Sequence, residues 1–149
     1  MRSPVGLGWR TELIFARFDG EVLERDDHLV VRTPSNPTFW WGNFLLFERP
    51  PRDDADAARW IERFDAEIAR PQSPSRHVAF GIDATAPFEL PRAFADAGFE
   101  HYESIVLTMR PEQLRAPRKA IAADAFRVAR VARPDQAAAA VDLQIATDE

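Results

Sequence analysis

The run Phe39-Trp40-Trp41-Gly42-Asn43-Phe44-Leu45-Leu46-Phe47 constrains this chain more than any other stretch. In a β-strand successive side chains point to opposite faces, and here both faces are apolar. Such a strand belongs in the middle of a sheet covered on two sides, which requires helices packed above and below it. The helix that follows supplies one of those covers. Ala57, Trp60, Ile61, Phe64 and Ile68 recur at helical spacing on one face, while Arg59, Glu62, Arg63 and Glu67 face solvent. Pro71 ends it.

The rest of the pattern fits the same class. Thr11 can cap a short helix through Phe18, with Asp19-Gly20 as its stop. Glu21–Arg25 and Leu29–Arg32 read as strands around an Asp26-Asp27 turn, and Pro34 to Pro37 forces a loop. His77–Ile82 reads as a further strand, Pro87–Ala97 as a short helix closed by Gly98, and Glu100–Met109 as a long strand buried at Ile105, Val106 and Leu107. The expected fold class is therefore α/β (α+β), with the sheet covered by helices on both faces.

After Pro111 the texture changes. Residues 1–114 form the expected domain and 115–125 a polar, alanine-rich linker; 126–149 hold a strand from Phe126 to Val131 and a helix from Gln136. One strand and one helix bury little surface, so this tail reads as the opening of a second, incomplete domain.

Composition narrows the function. With 46% hydrophobic residues in 149, including 11 Phe and 4 Trp, the chain has material for a core. A net charge of −5 disfavours nucleic acid as a partner, because that binding rests on Lys and Arg neutralising phosphates. No apolar run reaches the roughly 18 residues of a membrane span, and the N-terminus lacks a signal-peptide core, so a cytoplasmic protein is expected. There is no cysteine to serve as a nucleophile, disulfide or metal ligand. His28, His77 and His101 are far apart in sequence, so no metal site is expected, and no Ser–His–Asp, Walker or zinc pattern is present.

The element order, together with Leu90-Pro91-Arg92-Ala93-Phe94-Ala95-Asp96-Ala97-Gly98-Phe99-Glu100, resembles the GNAT superfamily of N-acetyltransferases. There a closing helix ends in Gly-Phe before the last strands. The resemblance covers about residues 8–110, with Gly98-Phe99 as its local motif, and the tail resembles the start of a second such domain. It implies a mixed, mostly antiparallel sheet, acetyl-CoA as cofactor and acyl transfer to an amine on a small molecule or peptide. It also implies a Gly-rich turn binding pyrophosphate at a helix N-terminus, and often a tyrosine in the closing helix that protonates the thiolate.

This chain departs from both features. The turn reads Glu48-Arg49-Pro50-Pro51-Arg52-Asp53-Asp54-Ala55-Asp56, with no glycine, two prolines lacking N–H donors, and three aspartates at the positive end of the helix. Either the aspartates merely cap the helix, or Arg49 and Arg52 offset them and hold an anion. Phe94 stands where many members carry tyrosine, and the one tyrosine, Tyr102, lies beyond the turn. No catalytic residue is expected here, nor tight acetyl-CoA binding. The chain reads as the non-catalytic N-terminal lobe of a tandem acetyltransferase, giving substrate-side or inter-domain surface to a missing C-terminal domain. Two alternatives stand beside it: a ligand-binding or homodimerising module of the same fold, and an active enzyme using Arg49 and Arg52.

Candidate pocket residues are few. Gly42-Asn43 interrupts the apolar run, so it marks either a bulge beside a ligand, with Trp41 in the pocket, or a bulge satisfied within the core. Trp40 and Trp41 line a cleft or, as neighbours on opposite strand faces, belong to the core. Asp83 ends a strand, which suits either a base for an amine or an ordinary turn.

Overall fold

A computed structural model of the chain describes residues 6–72, 75–84, 86–115 and 131–147. The chain divides into two compact units, Met1–Leu107 and Thr108–Glu149. The first contains helix α1 (Leu7–Asp19), strands β1 (Glu21–Glu24), β2 (His28–Arg32) and β3 (Phe44–Phe47), helix α2 (Asp54–Phe64), strand β4 (Phe80–Ile82) and helix α3 (Arg92–Asp96).

The strands lie in the order β1-β2-β3-β4. β1 and β2 are antiparallel with Val22 opposite Val31, β2 and β3 are antiparallel with Val30 opposite Leu45, and β3 and β4 are parallel with Leu46 opposite Gly81. The parallel pair is joined through α2, the crossover that parallel strands require. Alternation along the strands then sorts the side chains. Val30, Leu45 and Phe47 meet Ala57, Trp60, Phe64 and Ile68 of the α2 segment and Phe94 of α3. Leu29, Val31, Phe44 and Leu46 meet Leu13 of α1 on the other face. Helices thus cover both faces of a mixed, mostly antiparallel sheet, as the apolar run required. Each fully buried side chain contributes about 1.5–3 kcal/mol. The closest ring pair in the first core is the stack of Phe47 on Trp60, with ring centroids 3.5 Å apart and planes 3° from parallel.

Local chemistry sets the element ends. Asp53 caps α2 by accepting the Asp56 N–H at 2.7 Å. The helix then widens into a π turn over Asp65–Ala69, where the Arg70 N–H reaches the carbonyl of Asp65. Gly98 has φ of +79°, the left-handed closure expected after α3. Thr11 is no cap: α1 starts a turn earlier, at Gly6, and the Thr11 hydroxyl donates back to the Leu7 carbonyl.

Three expected strands differ. Of the run Phe39–Phe47 only Phe44–Phe47 is extended in the sheet, and Trp40–Gly42 forms a 3-10 turn. The sheet is consequently shorter than the apolar run, and the tryptophans are exposed rather than core. Glu100–Met109 carries no strand, and Ile105 and Leu107 are exposed. Strand propensity there is real, but a strand exists only with a partner, and these residues have none among the described ones. The strand His77–Ile82 is reduced to its last three residues.

The second unit contains a 3-10 turn at Pro111–Gln113 and helix α4 (Pro134–Thr147), opened by Gln136 accepting the N–H groups of Ala132 and Arg133. The linker expected over 115–125 and the strand expected over Phe126–Val131 lie almost wholly outside the described residues. No helix of the described residues is long and apolar enough to cross a membrane.

Candidate functional site

The carboxyl ends of the parallel pair β3 and β4 open, beside the β1–β2 turn, into a cleft of about 400 Å³. Ligands of open α/β sheets bind at such strand ends. Leu29, Leu46 and Phe47 give the cleft its apolar lining. Its polar lining is acidic: Glu24, Asp26, Asp27, Glu48 and Asp83 stand against Arg25 and His28. A lining of this sign attracts an ammonium group and repels a polyphosphate.

His28 is the most enclosed of these groups, 6% exposed at the start of β2. Its Nδ1 lies 2.8 Å from Asp27 and its Nε2 3.0 Å from Glu67, and its ring stacks on Phe47 at 5.0 Å. Arg25 donates to Glu67 at 2.6 Å and Arg63 to Asp27 at 2.5 Å, so five charged or ionisable side chains form one chain. Burial alone would raise the Asp27 carboxyl, but hydrogen bonds from Arg63 and His28 outweigh it and hold Asp27 below its ordinary value. Both imidazole nitrogens are committed, so His28 is a tie between β2 and the π turn, with no ring nitrogen left to take a substrate proton. The sequence reading missed this pairing because Glu67 stands 39 residues away and reads as a solvent-facing helix position.

Asp83 follows β4 and lines the cleft, and its Oδ2 accepts the Gly6 N–H at 3.0 Å, at the start of α1. A carboxylate at a helix N-terminus is favourably placed. Trp41, Gly42 and Asn43 are not gathered with it. They precede β3, whereas the Asp83 N–H bonds the carbonyl of Phe47 at its end. The four residues of β3 separate them by about 13 Å at the usual rise.

Asn43 is fully buried, and all of its side-chain hydrogen-bonding positions are filled. Its Nδ2 donates to the carbonyls of Asn36 and Phe39 at 2.9 and 2.8 Å, and its Oδ1 accepts from Thr33 N and Gln72 Nε2, both at 2.9 Å. It holds the loop before β3 and offers nothing to a ligand. Gly42 lies in the 3-10 turn, where its carbonyl accepts from the Thr33 hydroxyl. Trp41 is 41% exposed and donates from Nε1 to Glu12 at 3.1 Å.

The crossover turn after β3 is occupied by its own side chains. Asp53 takes the Asp56 N–H at the start of α2, and Asp54 accepts the Ala93 N–H at 2.9 Å. Asp56 accepts the Arg52 N–H and Nε, and also pairs with Arg59. Those bonds hold its carboxyl far below the ordinary range. Arg52 is therefore spent on Asp56, and Arg49 is exposed. This helix end thus carries three aspartates and no glycine, a charge that disfavours a pyrophosphate there.

Phe94 is buried against Phe99, Phe80 and Trp60, at 5.0, 5.5 and 6.0 Å. Its role is packing. Tyr102 is exposed, and its hydroxyl donates to Glu100; that hydrogen bond, and then the carboxylate's charge, raises the phenol's pKa. Among the described residues no cluster of His and carboxylates is placed to hold a metal ion.

Comparison of the chain with protein-family models, curated proteins and solved structures finds no match.

Proposed function

We propose that this chain is a GNAT-type lobe without a cofactor site, which presents the amine-acceptor side of an N-acetyltransferase completed by another domain. The observation that carries this reading is the acidic character of the edge where β3 passes toward α2. The cleft at the carboxyl ends of β3 and β4 is lined by carboxylates suited to an ammonium group, while the α2 N-terminus is capped by aspartate. The order of two antiparallel strands, a parallel crossover and a short helix ending in Gly98-Phe99 supports the same family. Asp27, Glu48 and Asp83 would draw a protonated amine, and Arg52 would contribute nothing to a phosphate. Isothermal titration with acetyl-CoA tests it. No saturable heat is expected up to millimolar cofactor, and micromolar binding with acetyl transfer to an amine would sink the reading.

A second reading, a dimerisation module with no catalytic partner, is favoured by apolar side chains left in solvent. Ile14, Phe15 and Phe18 of α1 are exposed, as are Ile105 and Leu107. Ile14 and Phe18, four residues apart on α1, share one face, and exposed apolar surface of this kind suits an interface. Light scattering of a monomer at every concentration would count against this alternative.

A further inference from the structure

The tryptophans before β3 form a feature that neither reading uses. The 3-10 turn at Trp40–Gly42 carries both indoles outward, with Trp40 51% and Trp41 41% exposed. Their planes meet at 76° with centroids 4.9 Å apart, so two indole rings make the walls of a corner. Ring contacts and hydrogen bonds hold the corner. Trp41 stacks on Phe44 at 6.1 Å and on Trp9 at 6.2 Å, and Asn43 fixes the loop beneath through its four hydrogen bonds. At its rim the Glu12 carboxylate accepts the Trp41 N–H through Oε2 alone and joins no ion pair among the described residues.

Perpendicular aromatic faces beside a carboxylate suit one chemistry. The ring quadrupole attracts positive charge, and a cation whose charge is spread over methyl groups loses little hydration on entering. A hydrated metal ion or a bare ammonium loses more, and an anion is repelled by Glu12 and by the chain's net charge of −5. We propose that Trp40, Trp41 and Glu12 form a binding corner for an alkylated ammonium group, of the kind carried by choline or an N-methylated lysine side chain. The corner lies at the opposite end of β3 from the acidic cleft and stands whether or not the acetyltransferase reading does.

The test follows the indole N–H resonances of the 15N-labelled chain during titration with choline chloride at constant ionic strength. Trp40 and Trp41 should shift saturably, with a dissociation constant of roughly millimolar size, while buried Trp60 stays still. E12Q keeps an acceptor for the Trp41 N–H but removes the charge, and should weaken binding about threefold or more. W40A should abolish the shift at Trp41, with the Trp60 resonance reporting that the fold is intact; were W40A to unfold, E12Q alone decides. A trimethyl-lysine peptide binding more tightly than choline assigns a protein ligand, and the reverse order assigns a free small molecule. An equal response to the neutral isostere 3,3-dimethyl-1-butanol, a response unchanged in E12Q, or no saturation would overturn the proposal.

Discussion

Nε2 of His28 lies 3.0 Å from Oε1 of Glu67, which ties the first residue of β2 to the π turn that follows α2. The imidazole is buried and its other nitrogen meets Asp27, so removing Glu67 takes from Nε2 the carboxylate it pairs with. Glu67→Ala should destabilise the chain by about 1–3 kcal/mol, the usual cost of an unsatisfied buried group. Glu67→Gln retains an acceptor and should cost less. Urea unfolding at neutral pH measures both, and equal stability of all three proteins would show that the contact has no energetic weight.

Arg52 and Asp56 make a prediction about acid. The folded Asp56 carboxyl lies far below its ordinary 3.8 because Arg52 and Arg59 bond its charged form, and Asp27 is lowered in the same direction. A depressed folded pKa means that the contribution is complete above the unfolded value near 4 and disappears as pH falls through the folded value. The Asp56 carboxyl carbon should therefore show no NMR titration between pH 7 and about 3, where ordinary aspartates titrate. In Arg52→Ala its midpoint should move up toward the ordinary value. Titration of wild-type Asp56 near 4 would dismiss the pairing.

The same residues show where sequence is informative. The buried face Ala57, Trp60, Phe64 and Ile68 was legible because a helix repeats its environment every 3.6 residues, and the cap at Asp53 because capping is local. The tryptophans were not legible as surface. Apolarity gives no sign of which side a chain turns, and the turn is set by Asn43 reaching Asn36, Phe39, Thr33 and Gln72. The His28–Glu67 tie and the acidic cleft were hidden because each gathers residues distant in sequence through the sheet register. The Ile105–Leu107 strand failed because pairing is a property of two segments and only one can be read at a time.

Gly81 carries the close approach of α1 to the sheet. A Cβ there would stand 2.5 Å from Cη2 of Trp9 and 3.0 Å from a Leu46 methyl, so the indole lies directly over the glycine. Gly81→Ala should displace Trp9, loosen its 3.4 Å contact to the Ile82 carbonyl, and cost about 1–3 kcal/mol through overpacking. Unfolding monitored together with the Trp9 indole resonance checks both parts. An unshifted resonance would mean that Leu46 yields instead.

Asn43 should be the most sensitive single polar position among the described residues. Asn43→Ala strips partners from two carbonyls, the Thr33 N–H and the Gln72 amide in a fully buried place, and should cost about 3–5 kcal/mol. The isosteric Asn43→Asp separates shape from hydrogen bonding. It keeps an acceptor for Thr33 and Gln72 but turns a second oxygen toward the carbonyls of Asn36 and Phe39, where the amide had donated. At pH 7 that buried charge faces two acceptors, so the loss should equal or exceed that of the alanine variant. Protonation gives the new carboxyl one donor, which raises its folded pKa above the unfolded value. The deficit should therefore shrink as pH falls from 7 toward about 4.5, a range in which Asp27 and Asp56 stay ionised. Denaturant unfolding of wild type and both variants at the two pH values decides it: an aspartate variant as stable as wild type at pH 7 would show that Asn43 acts by shape alone.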